Sequence, residues 1–295
     1  MRVTNNMMSQ NLLRNLETSQ EKMLQLQNQA SSSLKINKPS DDPAGAQKVL
    51  RLKSNISSIE QWKSNADEAL SYMNTVDSTL GDMTSMLQRV KDLAVQGSSE
   101  TQTVSDRTAI ASEVDELAKQ LKLVANTQIG SKYIFSGTAT DKELIPASGD
   151  MSESQANEEL ITLEMGKNVS IPISVNGLAL FGDSETGVFA TLNKLKDALT
   201  SNNTEDINAT FDDLDTNINN VINQRTDLGA RNNRVTAMQN QLDSTSFNLQ
   251  KTLSNIQSAD LAQTITEYTN QQTTYKAALS VGSQIIQLSL VDYLN

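Results

Sequence analysis

Cysteine and histidine are both absent from the 295 residues. Without cysteine the chain can form neither a disulfide nor a thiolate metal site, and without histidine it lacks the commonest general base and metal ligand. Most enzyme mechanisms are disfavoured on composition alone, and no cofactor is expected. Proline is scarce. Pro39, Pro43, Pro146 and Pro172 are the whole set, so no proline interrupts a helix before Pro39 or after Pro172. Aromatic residues make up 4% and hydrophobic residues 37%, which is poor material for a thick globular core but adequate for the narrow seam between paired helices. A rod of helices is therefore expected. Cations are outnumbered, 24 Lys and Arg against 35 Asp and Glu, for a formal charge of -11. That charge repels phosphate backbones and anionic headgroups, so neither nucleic acid nor a membrane surface is expected as a partner. No run approaches the roughly 18 apolar residues of a membrane span. Residues 1–14 lack the apolar block and cleavage site of a signal peptide, which by ordinary rules predicts retention in the cytosol.

What the chain does have is heptad spacing. Leu12, Leu16, Ser19, Met23, Leu26 and Ala30 alternate by four and three, one stripe along a helix. The stripe is weak, because Ser19 and Ala30 replace large residues and the other faces are Gln, Asn and Ser. Pro39 pushes Lys38 out of the helical region, and the turn residues that follow break this helix. Asp42 suits the next N-cap, and Pro43 suits a first helical position that needs no N–H. Val49, Leu52, Ile56, Ile59, Ala66, Leu70 and Met73 keep one phase. Val76, Leu80, Met83, Leu87, Val90 and Ala94 keep another after one slip. The spacing predicts a helix over residues 43–96, roughly 80 Å at 1.5 Å per residue. Ile110, Val114, Leu117, Leu121 and Val124 mark a third helix ending near Gln128.

Residues 129–187 change character. Runs at 132–135, 160–165 and 169–175 read as short strands between Gly, Pro and acidic loops, and Pro172 confines its run to a sheet edge. Asn176-Gly177 reads as a hairpin turn. Helical spacing resumes at 188–199. Ile207, Phe211, Leu214, Ile218, Val221 and Leu228 then repeat at four and three, and Asn232 and Val235 continue the phase past Gly229, which places that glycine inside a continuous helix. Met238, Leu242, Thr245, Leu249, Thr252 and Ile256 extend it, and Leu261, Ile265, Tyr268, Gln272, Tyr275, Leu279, Gly282 and Ile286 form a last weak stripe.

The fold class expected is mainly α with a small β-rich insertion, a long antiparallel coiled-coil bundle built from both terminal segments. Five parts follow: 1–42, an assembly helix and turn; 43–130, one half of the helical rod; 131–187, a β-rich outer module; 188–257, the other half; and 258–295, a second assembly helix. Leu12, Leu16, Met23, Leu26, Leu261, Ile265, Tyr268, Tyr275, Leu279 and Ile286 are the candidate assembly residues, with Pro39, Asp42 and Pro43 as the helix-turn cap. Each large side chain on a stripe contributes about 2 kcal/mol when fully covered, against about 1–2 kcal/mol of backbone entropy for every residue ordered. One partner stripe does not suffice, so the ends are expected to need neighbouring copies. Asp41-Asp42 is better explained as a turn and cap than as a metal or acid-base pair, and Asp212-Asp213-Leu214-Asp215 lacks the glycine and final glutamate of a calcium loop.

The residues that stand out form a pattern. Met1-Arg2-Val3-Thr4-Asn5-Asn6-Met7-Met8, the run INKPSDDPAGA from Ile36 to Ala46, and Asn126-Thr127-Gln128 with Tyr133-Ile134-Phe135-Ser136-Gly137-Thr138 come first. Arg225-Thr226-Asp227-Leu228-Gly229-Ala230-Arg231 and Ser258-Ala259-Asp260-Leu261-Ala262 follow. In this order they resemble the hook-associated protein 3 family of the bacterial flagellum, relatives of flagellin. The resemblance covers roughly residues 1–140 and 187–295 and less clearly the middle. It implies a non-enzymatic subunit of the hook-filament junction, a ring of identical copies between hook-associated protein 1 and flagellin. It also implies delivery by an export chaperone through the flagellar type III export apparatus, without a cleaved signal peptide, to an extracellular flagellum. Flagellin itself is the nearest alternative, and a cytoplasmic signalling coiled coil with long heptads is another. A hydrolase acting through the β module would need paired carboxylates, and none converge in the sequence.

Overall fold

The computed structural model describes residues 5–146, 153–182 and 187–291, with side chains described between residues 7 and 283 of those stretches. In chain order the elements are α1 (Asn5–Ser32), α2 (Pro43–Ser98), α3 (Val104–Ala125), β1 (Gln128–Ile129), β2 (Lys132–Tyr133), β3 (Thr162–Gly166) and β4 (Val169–Pro172). Then come α4 (Gly177–Phe181), α5 (Val188–Thr200), α6 (Thr204–Gln257) and α7 (Leu261–Val291). The mainly α class with a small β insertion is what the proline distribution and the heptads predict. The chain forms two compact units, Met1–Ser58 with Ser244–Asn295, and Ile59–Asp243. Helices α2 and α6 contribute residues to both.

In Ile59–Asp243, α2 and α6 run antiparallel. Arg225 Nε donates to Asp77 Oδ1 at 3.1 Å and Asn232 Nδ2 to Asn74 Oδ1 at 2.9 Å. Lys91 pairs with Asp215, and Lys63 with Asp243. Between these polar flanks, Met73, Val76, Leu80, Met83, Leu87 and Val90 of α2 are buried with Leu214, Val221, Leu228 and Val235 of α6. The four-three spacing on α6 continues through Gly229, as the phase of Asn232 and Val235 requires. The slip on α2 lies earlier than the sequence suggests. Ala66 and Ala69 are fully buried while Leu70 is only half-buried, so the strict alternation starts near Ala66 instead of after Met73. Beside this slip Asn65 reaches into the insertion and donates to Glu164 O at 2.7 Å.

Helix α3 begins with a capping box: Asp106 N donates to Thr103 Oγ1, and Thr103 N donates back to Asp106 Oδ2. Its Arg107 is buried. The guanidinium donates to Gly97 O at 2.8 Å, to Ser99 O at 3.0 Å and to Asn202 Oδ1. Gly97 lies in the last turn of α2 and Asn202 just beyond α5, where helix dipoles are negative, so a buried cation is satisfied here by neutral acceptors.

Among the described residues the insertion contains two separate antiparallel two-stranded sheets, β1-β2 and β3-β4. β1 was not anticipated, because two residues are too few to show alternation. β4 stops at Pro172 and has one partner, which fits the edge position inferred from that proline. The hairpin expected at Asn176-Gly177 is not there. Asn176 is instead the N-cap of α4, its side chain accepting from Ala179 N at 3.2 Å. Gly177 is demanded by packing, since a Cβ at that position would lie 2.2 Å from Phe135 O. The dipeptide suits a turn, but Asn caps helices equally well, and the tertiary contact decides. Phe181 meets Phe135 edge-on at 5.9 Å and stacks on Phe189 at 5.7 Å, giving the insertion an aromatic core. Side chains of the long helices bond to it: Asn65, Arg231, whose Nη1 donates to Ser174 O at 3.1 Å, and Tyr72, whose hydroxyl donates to Ile134 O at 3.1 Å.

Two predictions follow from this packing. Burial pushes the Tyr72 phenol up to about 12, so its folded value lies above its unfolded one. The neutral form therefore adds stability that is complete below about pH 10 and is lost as pH rises toward 12. Tyr72→Phe is expected to cost about 1 kcal/mol at pH 8 through the missing hydrogen bond. Urea denaturation at pH 8 and pH 11 should show the gap to wild type shrinking at the higher pH. Gly229 has open space where a Cβ would be added, so Gly229→Ala should stabilise by about 1 kcal/mol, read from the urea midpoint.

Candidate assembly interface

In the unit formed by Met1–Ser58 and Ser244–Asn295, α1 and α7 pair antiparallel. Gln271 Nε2 donates to Ser19 Oγ at 2.8 Å. Leu12 sits against Gly282, where a Cβ would lie 2.6 Å from Leu12 Cδ2. At the other end Leu34 bridges Ser258, Lys35 N donates to Gln257 O at 2.7 Å, and Ala259 N donates to Ser33 O at 3.0 Å. The α1 stripe is the one read from the sequence: Leu12, Leu16, Ser19, Met23 and Ala30 are half-buried, and Leu26 is 6% exposed.

The α7 stripe differs from the sequence reading. Its covered positions are Thr264, Tyr268, Gln271, Tyr275, Ala278 and Gly282, also spaced by four and three, with Gln272 half-buried beside them. Leu261, Ile265 and Leu279 are 41%, 53% and 47% exposed, and the side chain of Ile286 lies outside the described residues. Two stripes with the same period overlap on this helix, sharing Tyr268, Tyr275 and Gly282. The small-residue stripe faces inward because glycine, alanine and threonine leave room for Leu and Met knobs of α1. A single chain thus supplies a partner for each terminal helix, as a bundle built from both terminal segments requires, and that partner covers only one stripe of each. The uncovered apolar residues include Met7, Met8, Leu13 and Leu24 on α1, and Leu50 of α2 and Phe247 of α6 in the same unit. Phe247 fits neither heptad phase, and nothing in its sequence neighbourhood marks it.

The turn between α1 and α2 is held by its two aspartates. Asp41 Oδ2 accepts from Asn37 N at 3.0 Å and Lys38 N at 2.9 Å. Asp42 Oδ1 accepts from Gly45 N at 3.0 Å, capping a helix whose first residue is Pro43. Pro39 is exposed within the turn. Ile36 is buried with Ala46 and Val49, packed by Leu253 and Ile256. That cluster ties the first turns of α2 and the end of α6 to the turn, and Ile36 was visible in the sequence only as part of a motif.

Paired terminal helices, a capped turn and an insertion carried between the long helices match known proteins. The N-terminal helical region of bacterial flagellin matches residues 3–140, and its C-terminal helical region matches residues 211–294. The chain belongs to the bacterial flagellin family. Flagellin of Bacillus subtilis is 28% identical over 303 residues, covering 97% of each chain. Flagellar hook-associated protein 3 of Escherichia coli is 26% identical over 314 residues, covering 98% of each. Among solved structures, a flagellar hook-associated protein 3 of Legionella pneumophila shares the fold with a TM-score of 0.64. It is 13% identical and covers 70% of this chain and 98% of that one. Members of this flagellin-like family are structural proteins of the bacterial flagellum.

Asp42→Ala should remove the cap without touching either stripe. It is expected to cost about 1 kcal/mol, measured by urea denaturation of the purified chain.

Proposed function

We propose that the protein is a subunit of the hook-filament junction, a ring of identical copies stacked between hook-associated protein 1 and flagellin, and that it acts by assembly and not by catalysis. The observation that carries this reading is the row of large apolar side chains left uncovered when α1 and α7 pair. Leu261, Ile265 and Leu279 on one helix and Leu13 and Leu24 on the other remain 41% to 58% exposed. Exposed apolar residues repeated along a helix are what a neighbouring subunit covers. Residues 1–42 and 258–295 act as the assembly segments, each completed by adjacent copies. The near full-length similarity to hook-associated protein 3 of Escherichia coli supports the junction. The equally complete similarity to flagellin of Bacillus subtilis favours a filament subunit as the second reading. In either case export runs through the flagellar type III channel, with a chaperone shielding the stripes beforehand.

Deleting the gene separates the two readings. A junction subunit leaves hooks without filaments and spills exported flagellin into the medium, whereas a filament subunit leaves no flagellin to spill. Within the junction reading, the Leu261→Ser, Ile265→Ser, Leu279→Ser variant should keep its urea stability within about 0.5 kcal/mol of wild type. It should nevertheless fail to restore filaments to the deletion strain. Filaments of normal number from this variant would remove the assembly role of the α7 stripe.

A further inference from the structure

Charge divides unevenly between the two compact units. Met1–Ser58 with Ser244–Asn295 holds ten Lys and Arg against seven Asp and Glu, and Ile59–Asp243 holds fourteen against twenty-eight. A chain of net charge -11 is therefore built from a unit of +3 and a unit of -14. The ion pairs follow the same division, and among the described residues every one joins partners within Ile59–Asp243. In the other unit Lys35, Lys38, Lys48, Arg51 and Lys53 are all exposed, crowded into the turn and the first three turns of α2. The carboxylates that could neutralise them are engaged by backbone. Asp41 is held by the N–H groups of Asn37 and Lys38, Asp42 by that of Gly45, and Asp260 by that of Gln263 at 3.1 Å.

The opposite pattern occurs in Ile59–Asp243. A groove of about 450 Å³ between α5 and α6 is lined by Asp197, Asp206 and Asp213, with Lys194 as the cation among them. Lys194 lies 3.8 Å from Asp213, which leaves the groove with an excess of negative charge. It is concave enough to receive a lysine or arginine side chain.

We propose that the basic turn region of one copy, Lys38, Lys48 and Arg51 foremost, docks against the acidic α5-α6 groove of a second copy. The inference rests on the assembly reading above and names which surfaces meet. Unlike surfaces in contact make a head-to-tail interface, the kind that closes a ring or continues a stack. One exposed ion pair contributes little, and screening confines the attraction to about 8 Å at physiological salt. The contact therefore depends on several pairs made together, and it selects register and partner as much as affinity.

Charge reversal in the full chain tests this, because a homo-oligomer carrying both reversed faces regains complementarity. Four chains are compared in the deletion strain, scored as the fraction of cells with filaments, with circular dichroism of each purified chain confirming its helix content. Wild type restores filaments. Lys38→Glu with Lys48→Glu and Arg51→Glu, or Asp197→Lys with Asp213→Lys, should each lower the fraction at least about tenfold. The chain carrying all five substitutions should recover to within about threefold of wild type. Wild-type behaviour of the basic-face variant overturns the inference and leaves the assembly reading intact. So does a five-fold substituted chain, folded, that is no better than either set alone, since the basic face would then meet some other acidic partner. A wild-type chain that restores nothing would overturn the assembly reading together with this inference.

Discussion

Antiparallel pairing of helices remote in sequence is the constraint on which each unit depends. Ser19 meets Gln271 across 252 residues, and Asp77 meets Arg225 across 148. Closing loops of that length costs entropy that only a continuous seam offsets. The two seams differ in kind. On α2 and α6 a row of buried Met, Leu and Val, flanked by ion pairs, joins a core shared with α3, α5 and the insertion. On α1 and α7 the covered stripe has Ser19 and Ala30 on one side and Thr264, Ala278 and Gly282 on the other, so little apolar area is removed from water.

That thinness connects structure to assembly. A helix whose inward face mixes Thr264, Gln271, Ala278 and Gly282 with two half-buried tyrosines, and whose outward face carries Leu261, Ile265 and Leu279, is only half satisfied inside one molecule. The turn between α1 and α2 has the complementary character. Its aspartates hold backbone N–H groups, and the hydrophobic contacts of Ile36 pin it, so its lysines remain free to meet something outside the chain. In the proposed assembly the apolar stripes would supply affinity and the basic turn register; both belong to the terminal unit, while the acidic excess belongs to the other.

Much of the fold was legible before any coordinates. Four prolines placed as they are leave the long helices uninterrupted, and strict four-three spacing through Asn232 and Val235 shows that Gly229 does not end α6. The Asp42-Pro43 pair marks the start of α2 by its own chemistry. Less was legible where two local readings were equally good. Asn176-Gly177 serves a hairpin or a helix cap, and Phe135 O, forty residues away, decides by excluding any side chain at Gly177. The phase slip on α2 falls beside Asn65, whose bond to Glu164 O is a contact across ninety-nine residues that no spacing rule contains.

The candidate interface shows the same limit. On α1 one stripe keeps the four-three spacing and it is the covered one, so the sequence alone placed Leu12, Leu16, Met23 and Leu26 on it, with Leu13 and Leu24 outside. On α7 two stripes share a period, and periodicity cannot choose between them. The structure turns Thr264, Gln271 and Ala278 toward α1, with Gln271 bonded to Ser19 Oγ at 2.8 Å, and leaves Leu261, Ile265 and Leu279 outside. Local chemistry determines that a segment is helical and which residues share a face; which face turns inward is set by the shape of a partner helix that folding brings from the far end of the chain.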